Sequence, residues 1–347
     1  AAGQTATLAG YGALTINADG SYTFVPVADW NGSVPQVTYE VTDGRDNGVQ
    51  TAALDITVTP VQDAHDDSRT AHAGAPVTVD VLTNDGFTNG DKAITGVTDG
   101  AHGTVSISNG QVVYTPTSGY VGTDTFTYTV TSGGKTETAT VTLTLVNDAP
   151  QVGLAKTGST AEDTTLTNGE NLLTGASDLN GDALTVKSFT VGNTTWAAGQ
   201  TATLAGYGAL TLNADGSYTF VPVADWNGNV PQVTYTITDG RTNGDVTSTL
   251  DISVTPVQDA FNDSQTGHGR DPLVIDVFNN DSFANSDKAI TATTNGAHGT
   301  VTVSNGKVVY TLNDGYVGTD SFTYTVTSGG KTETANVTVT LTNGAPT

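Results

Sequence analysis

Asp178, Asn180 and Asp182 place three oxygen-bearing side chains at alternate positions of one short loop, and Gly181 between them permits a tight curve. The pattern suits a hard cation, Ca²⁺ above all, which takes carboxylate and amide oxygens. A turn rich in Asp and Asn that holds no metal has the same composition, so both readings stand. The loop is not an EF-hand, because Phe189 falls where an EF-hand loop carries its last, bidentate Glu. Thr42-Asp43-Gly44 and Thr238-Asp239-Gly240 each offer one further carboxylate, Asp43 and Asp239, at the end of a β-rich run. Those two read first as turns and second as ligands.

Nothing in the chain assembles a catalytic set. No Ser sits in a Gly-x-Ser-x-Gly elbow, and His65, His72 and His268 lack zinc-like spacing. His102 and His298 occupy the same repeated turn, which reads as structural, and no carboxylate pair stands apart from the turn acids. Trp30 and Trp226 lie in another repeated turn and read as core plugs before sugar-stacking platforms. Cysteine and methionine are both absent, so stability comes from the cores or from metal ions. The 35 Asp and Glu against 11 Lys and Arg, a formal charge of −24, argue against nucleic acid as a partner. They fit either a solvated acidic surface or a store of cation ligands. No apolar run approaches the ~18 residues of a membrane-spanning helix.

The chain repeats itself at an offset of 196 residues. Positions 1–26 recur at 197–222 with the single change of Ile16 to Leu212, and the segment from Ser132 to Thr138 recurs as Ser328 to Thr334. Long near-identical repeats belong to arrays whose copies share one mechanical or binding role. Each period splits into two unlike parts, A and B. The predicted modules are 1–62 (A, truncated), 63–150 (B), 151–258 (A) and 259–347 (B). The first A copy has no counterpart of residues 151–196, which reads as an upstream part lying outside this sequence. It also lacks the strand matching Leu184, Val186, Phe189 and Val191, so its sandwich is expected to be incomplete or propped by a neighbour.

Helix signals are nearly absent. Thr and Val, both β-branched, dominate runs that alternate with period two: Phe126, Tyr128 and Val130 fall on one face and Thr125, Thr127 and Thr129 on the other. Asn109-Gly110 and Asn305-Gly306 between such runs predict two-residue hairpins. Strands at this spacing in units of about 90–110 residues predict an all-β chain of tandem β-sandwich domains in antiparallel sheets.

The B copies, with Val77 to Asp85, Ala101-His102-Gly103-Thr104-Val105 and Tyr120 to Tyr128, resemble the bacterial cadherin-like and Ig-like tandem repeats. The second A copy, with Ser177 to Val186 and Asp215 to Phe220, is similar to repeats of giant RTX-type adhesins. The resemblance covers the whole chain and implies immunoglobulin-like or cadherin-like sandwiches. It further implies an extender segment of a very long bacterial surface adhesin, secreted by a type I system, extracellular, and stiffened by Ca²⁺ at domain junctions. Asn147-Asp148-Ala149-Pro150 resembles the cadherin interdomain motif, which implies Asn147 and Asp148 as junction ligands, along with Asp63 and Asp259 between A and B; a plain Pro-terminated linker is the other reading. Glu162 and Asp163 are read either as completing a junction site or as an exposed acidic loop. Phe87 and Phe283 stand where related B repeats carry an acid, which favours the A loops over the B loops as cation sites.

The expected role is therefore a non-enzymatic spacer. Its partners are its own neighbouring repeats, and its distal receptor, a surface or glycan, is bound by other domains. The alternatives are a module that itself grips a glycan or surface, and a spacer within a secreted enzyme. Near-identical Thr-rich copies speak against one specialised pocket.

Overall fold

The computed structural model describes every residue except 168, 269, 270, 314 and 344–347, so the last four positions of the second B copy lie outside the described residues. The described residues form strands and turns and contain no helix. They divide into two compact units, one of residues 1–148 with 179–182 and the other of 149–178 with 183–347.

In the first unit, the B copy is a two-layer sandwich. One sheet runs in the order Ala93–Val97, Gly122–Ser132, Lys135–Val146, Asp67–His72, and the other in the order Gly103–Ser108, Gln111–Pro116, Val77–Val79. The period-two pattern aims Phe126, Tyr128, Val130, Val141, Leu143 and Leu145 inward, where they are buried with Tyr114. The Thr residues stay on the outer face and pair across strands, as Thr129 and Thr138 do at 3.1 Å. Gly133 and Gly134 join the two long strands as a two-residue turn with φ of 55° and 74°, and Asn109 and Gly110 do the same at 50° and 77°. Phe87 is buried in this core.

The first A copy contributes the sheet Thr5–Leu8, Gly12–Ile16, Tyr22–Pro26 and the hairpin Val37–Thr42 with Val49–Leu54. Leu14 and Val34 are buried, whereas Tyr22 is 52% exposed.

The second unit holds a complete A copy. Lys156–Ala161 and Thr185–Val191 flank the strands Asp245–Thr255 and Val233–Thr238, over the sheet Thr201–Leu204, Gly208–Leu212, Tyr218–Pro222. Leu172, Val186, Phe189, Leu210, Phe220 and Tyr235 fill its core, and Tyr218, the counterpart of Tyr22, is 2% exposed. The B copy that follows repeats the first one strand for strand, around Val308, Tyr310, Phe322, Tyr324 and Val337.

The sheets depart from the expectation of purely antiparallel pairing. The opening strand of each complete module lies parallel to its closing strand: Asp67–His72 beside Val141–Val146, Lys156–Ala161 beside Leu250–Thr255, and Asp263–His268 beside Val337–Thr342. These partners are far apart in sequence. No hairpin constrains their direction, so the opening strand is free to cap the open edge of the closing one.

Candidate metal centre

The acids that converge lie in the second unit, where its A copy meets its B copy. Glu162 and Asp163 occupy the turn after Lys156–Ala161, and Asp163 takes a positive φ of 59°. Glu162 ties that turn to the exit of the module: it accepts the Val257 amide and, through Oε2, the Asn227 side-chain amide at 3.0 Å. Asp225 sits in the turn Ala224-Asp225-Trp226-Asn227-Gly228 with φ of 56°, and its amide donates to Asp163 Oδ1 at 2.8 Å. Trp226 anchors this turn edge-on against Tyr207 at 5.2 Å between ring centroids, as a core plug should. Asp259 lies in the segment leaving the A copy, and Glu333 reaches back from the strand Lys331–Thr342. Glu333 Oε2 accepts the amides of Asp259 and Ala260, both at 2.8 Å.

Two triads result. One ligand oxygen from each of Glu162, Asp259 and Glu333 lies within 4.8 Å of the others, and the same holds for Asp163, Asp225 and Asp259. Asp259 belongs to both. It is 4% exposed, and its Oδ1 accepts the Ser282 hydroxyl at 2.6 Å while its Oδ2 is buried with no hydrogen-bond partner. A buried carboxylate oxygen without a donor is costly unless a cation or proton meets it. Burial, and then the charges of Glu333 and Asp225, push the Asp259 carboxyl above the ordinary range against the Ser282 bond. Burial likewise raises Asp163, beside the Asp225 charge. Asp225 behaves in the opposite sense: burial opposes its ionisation, but bonds from Ser328, Ala284 and Asn285 outweigh it and hold the carboxyl low. A donor set made wholly of carboxylate oxygens fits a hard divalent cation, with Ca²⁺ the best match.

The first unit repeats part of this arrangement: Glu137 accepts the amides of Asp63 and Ala64 at 2.7 and 2.9 Å, and burial, then the Glu137 and Asp29 charges, raise Asp63.

The other predicted ligands are placed as follows. Asp43 and Asp239 each accept the amide two residues on, at 3.0 and 2.8 Å, the bond of an Asx turn. Asp148 receives a bond at 2.7 Å from His72 Nδ1, and its amide donates to Asn180 Oδ1 at 2.6 Å. Asn180 also donates to the Ala73 carbonyl at 2.9 Å, a bond within the first unit. Asn147, Asn180 and Asp182 belong to the first unit and Asp178 to the second. His102 and His298 stack on Tyr120 and Tyr316, a structural use of both rings.

Asp225 and Glu333 escaped the sequence reading. Asp225 lies in a turn and Glu333 in a strand, and neither sits at a module junction in the sequence. The available signal was the repeat itself, since both recur at the 196-residue offset, as Asp29 and Glu137.

Comparison with known proteins agrees with this architecture. The family model described as bacterial Ig domain matches residues 57–144 and 253–340, together just over half of the chain. The bacterial cadherin-like domain matches 147–256, and a cadherin-like domain matches 3–59. No curated protein matches the chain. Among solved structures, it is similar to Drosophila N-cadherin EC1-4, at 15% identity over 95% of this chain and 90% of that one, with a TM-score of 0.26. It is similar to the I-band fragment I67-I69 of titin at 9% identity over 82% and 97%, with a TM-score of 0.32. It also resembles an endo-fucoidan hydrolase of glycoside hydrolase family 107 at 15% identity and a TM-score of 0.27, over 80% of this chain but only 43% of that one. Among the described residues no helix is long and apolar enough to cross a membrane. Two sandwiches built alike around Tyr128 and Tyr324, each joined to a cadherin-like neighbour, thus find their match in sequence as well, and the chain belongs to the bacterial Ig domain family.

Proposed function

We propose that the chain is an extender of a large, extracellular bacterial adhesin of the RTX type: a non-catalytic row of modules, 1–62, 63–150, 151–258 and 259–347, that holds a distal binding domain away from the cell. Ca²⁺ bound where A meets B reinforces that row. Glu162, Asp163 and Asp225 of the A copy, Asp259 of the connecting segment and Glu333 of the B copy hold it. Asn147, Asp148, Asn180 and Asp182 of the first unit remain the candidates for a further site, Asp178 for a ligand within the second unit, and Asp43, Asp239 and Asp63 for auxiliary ligands. The observation that carries the reading is the buried, donor-free Oδ2 of Asp259 at the meeting point of two acidic triads. A cation there replaces the missing donor and cancels repulsion among the gathered acids, of which burial raises Asp259 and Asp163.

The test is calorimetric titration of Ca²⁺ into chelator-stripped protein, wild type against Asp259→Asn. The expected result is binding in the wild type and at least a tenfold loss in the variant. Equal affinity in both proteins removes Asp259 from the centre, and no binding in the wild type ends the calcium reading.

A further inference from the structure

We propose that the turn Ala-Asp-Trp-Asn-Gly of each A copy, 28–32 and 224–228, is a plug that seats in a slot of the B copy following it, and that this plug fixes the A–B orientation without any cation. The inference goes beyond the calcium reading and does not depend on it.

The second unit shows the plug in full. Asp225 is 3% exposed and points out of its own module. Its carboxylate accepts the amides of Ala284 and Asn285 of the B copy, each at 2.8 Å, and the hydroxyl of Ser328. The Asn285 side chain donates back to the Ala224 carbonyl at 3.2 Å. Lys331 lies over the Trp226 ring, 5.6 Å from its centroid. Gly329 closes the slot: a Cβ there would fall 2.4 Å from the Ala224 carbonyl oxygen, and its φ of 54° already favours glycine.

The first unit repeats each part. Asp29 accepts the amides of Thr88 and Asn89 and the hydroxyl of Ser132, the last at 2.7 Å. Asn89 donates to the Ala28 carbonyl at 3.2 Å, Lys135 lies 5.3 Å from the Trp30 centroid, and a Cβ at Gly133 would fall 2.4 Å from the Ala28 carbonyl oxygen. Thr88 and Ala284 differ, but the slot uses the backbone amide at that position, so the exchange leaves it intact. Asp225 takes its three bonds from amide and hydroxyl donors of the B copy, none of them an acid of the centre beside it.

The physical reason is the density of charge-assisted bonds on one buried carboxylate. Three donors in fixed positions, two of them backbone amides, define both where Asp225 sits and how its turn is rotated. A hinge needs a contact that loosens in steps, and a plug with bonds on several sides opens only when all of them break. The slot also reads order: it is built from Asn285, Ser328, Gly329 and Lys331 of a B copy and accepts the turn of an A copy.

The chain has no cysteine, so spin labels on Asn193→Cys in the A copy and Ser304→Cys in the B copy report a single distance between the two modules. In excess EGTA the wild-type distance distribution should be single and as narrow as in calcium. In Ser328→Val/Asn285→Leu, which leaves all five acids in place, its width in EGTA should at least double. A wild-type distribution that broadens twofold on chelation, or a folded double variant with unchanged width, overturns the proposal. The wild-type measurement decides the point even where the double variant fails to fold. Calcium calorimetry runs independently: a protein that binds no calcium but keeps a narrow distribution loses its metal centre and retains its plug.

Discussion

Asp67 and Asp263 show how one side chain sets the pH response of a module. The Tyr128 hydroxyl, with one proton to give, faces the carbonyls of His65 and Val81 at 2.9 and 3.1 Å and the Asp85 carboxylate at 3.0 Å. Asp67 Oδ2 is buried beside this group without a donor, and Asp263 Oδ2 repeats the arrangement beside Tyr324. Acceptors outnumber protons at both places. Burial pushes the Asp67 carboxyl up to about 6, opposed by the Tyr128 hydroxyl close by and assisted by the charges of Asp85, Asp66 and Asp80. Asp263 likewise rises to about 6 by burial, with Asp281 and Asp276 nearby. A carboxyl that holds its proton more tightly when folded stabilises the fold fully below about pH 4, and that contribution is lost as pH rises through about 6. Asp67→Asn and Asp263→Asn should therefore raise B-copy stability at pH 7.5, each by roughly 1 kcal/mol after solvent screening, and flatten its pH dependence between 4 and 7. Thermal melts across that range check both; an unchanged slope contradicts the assignment. None of this was legible from residue types, since Asp67 reads as one more acid in an acidic segment until Tyr128 is brought over it from 61 positions away. Glu162, Asp163 and Asp259 were picked out from their places at the module junctions. Asp225 and Glu333 were not, because turn and strand hid what only the packing of two modules brings together.

The two A copies make a controlled pair at the scale of the element. Their sheets around Leu14 and Leu210 share nearly the same sequence, but only the second is covered by Lys156–Ala161 and Thr185–Val191. Tyr218→Ala should therefore cost about 3 kcal/mol, as buried aromatic truncations do, whereas Tyr22→Ala at an open face should stay within about 0.5 kcal/mol. Hydrogen exchange of the amides in Thr201–Leu204 and in Thr5–Leu8 reads the two effects separately; equal losses would show that the first copy is closed in solution. The strands themselves were legible, because alternation of Phe126, Tyr128 and Val130 with Thr is a local signal, as is the Asn109-Gly110 hairpin. The parallel seam between opening and closing strands was not. Asp67 and Val141 carry no mark of their pairing, which follows from the edge left free once all the hairpins have formed.

For the whole molecule, a formal charge of −24 means that folding gathers acids that repel one another, most strongly where Glu162, Asp163, Asp225, Asp259 and Glu333 meet. Calcium at a hundred times its dissociation constant should add about 2.7 kcal/mol to the second unit, and chelation should take it away. Calorimetric scans in calcium and in EGTA check this, and coincident melts would contradict it. The parallel seams carry a different consequence. In the extender proposed above, a module is pulled from its first residue and its last. Asp67–His72 and Val141–Val146 lie side by side pointing the same way, so the two pulls drag them past each other lengthwise. The six aligned pairs then bear the tension together and have to give at once, where a hairpin peeled from its end would open pair by pair. The same seam closes the module at Asp263–His268 and the complete A copy at Lys156–Ala161. Each of these sandwiches is thus fastened along the line in which a tether is loaded.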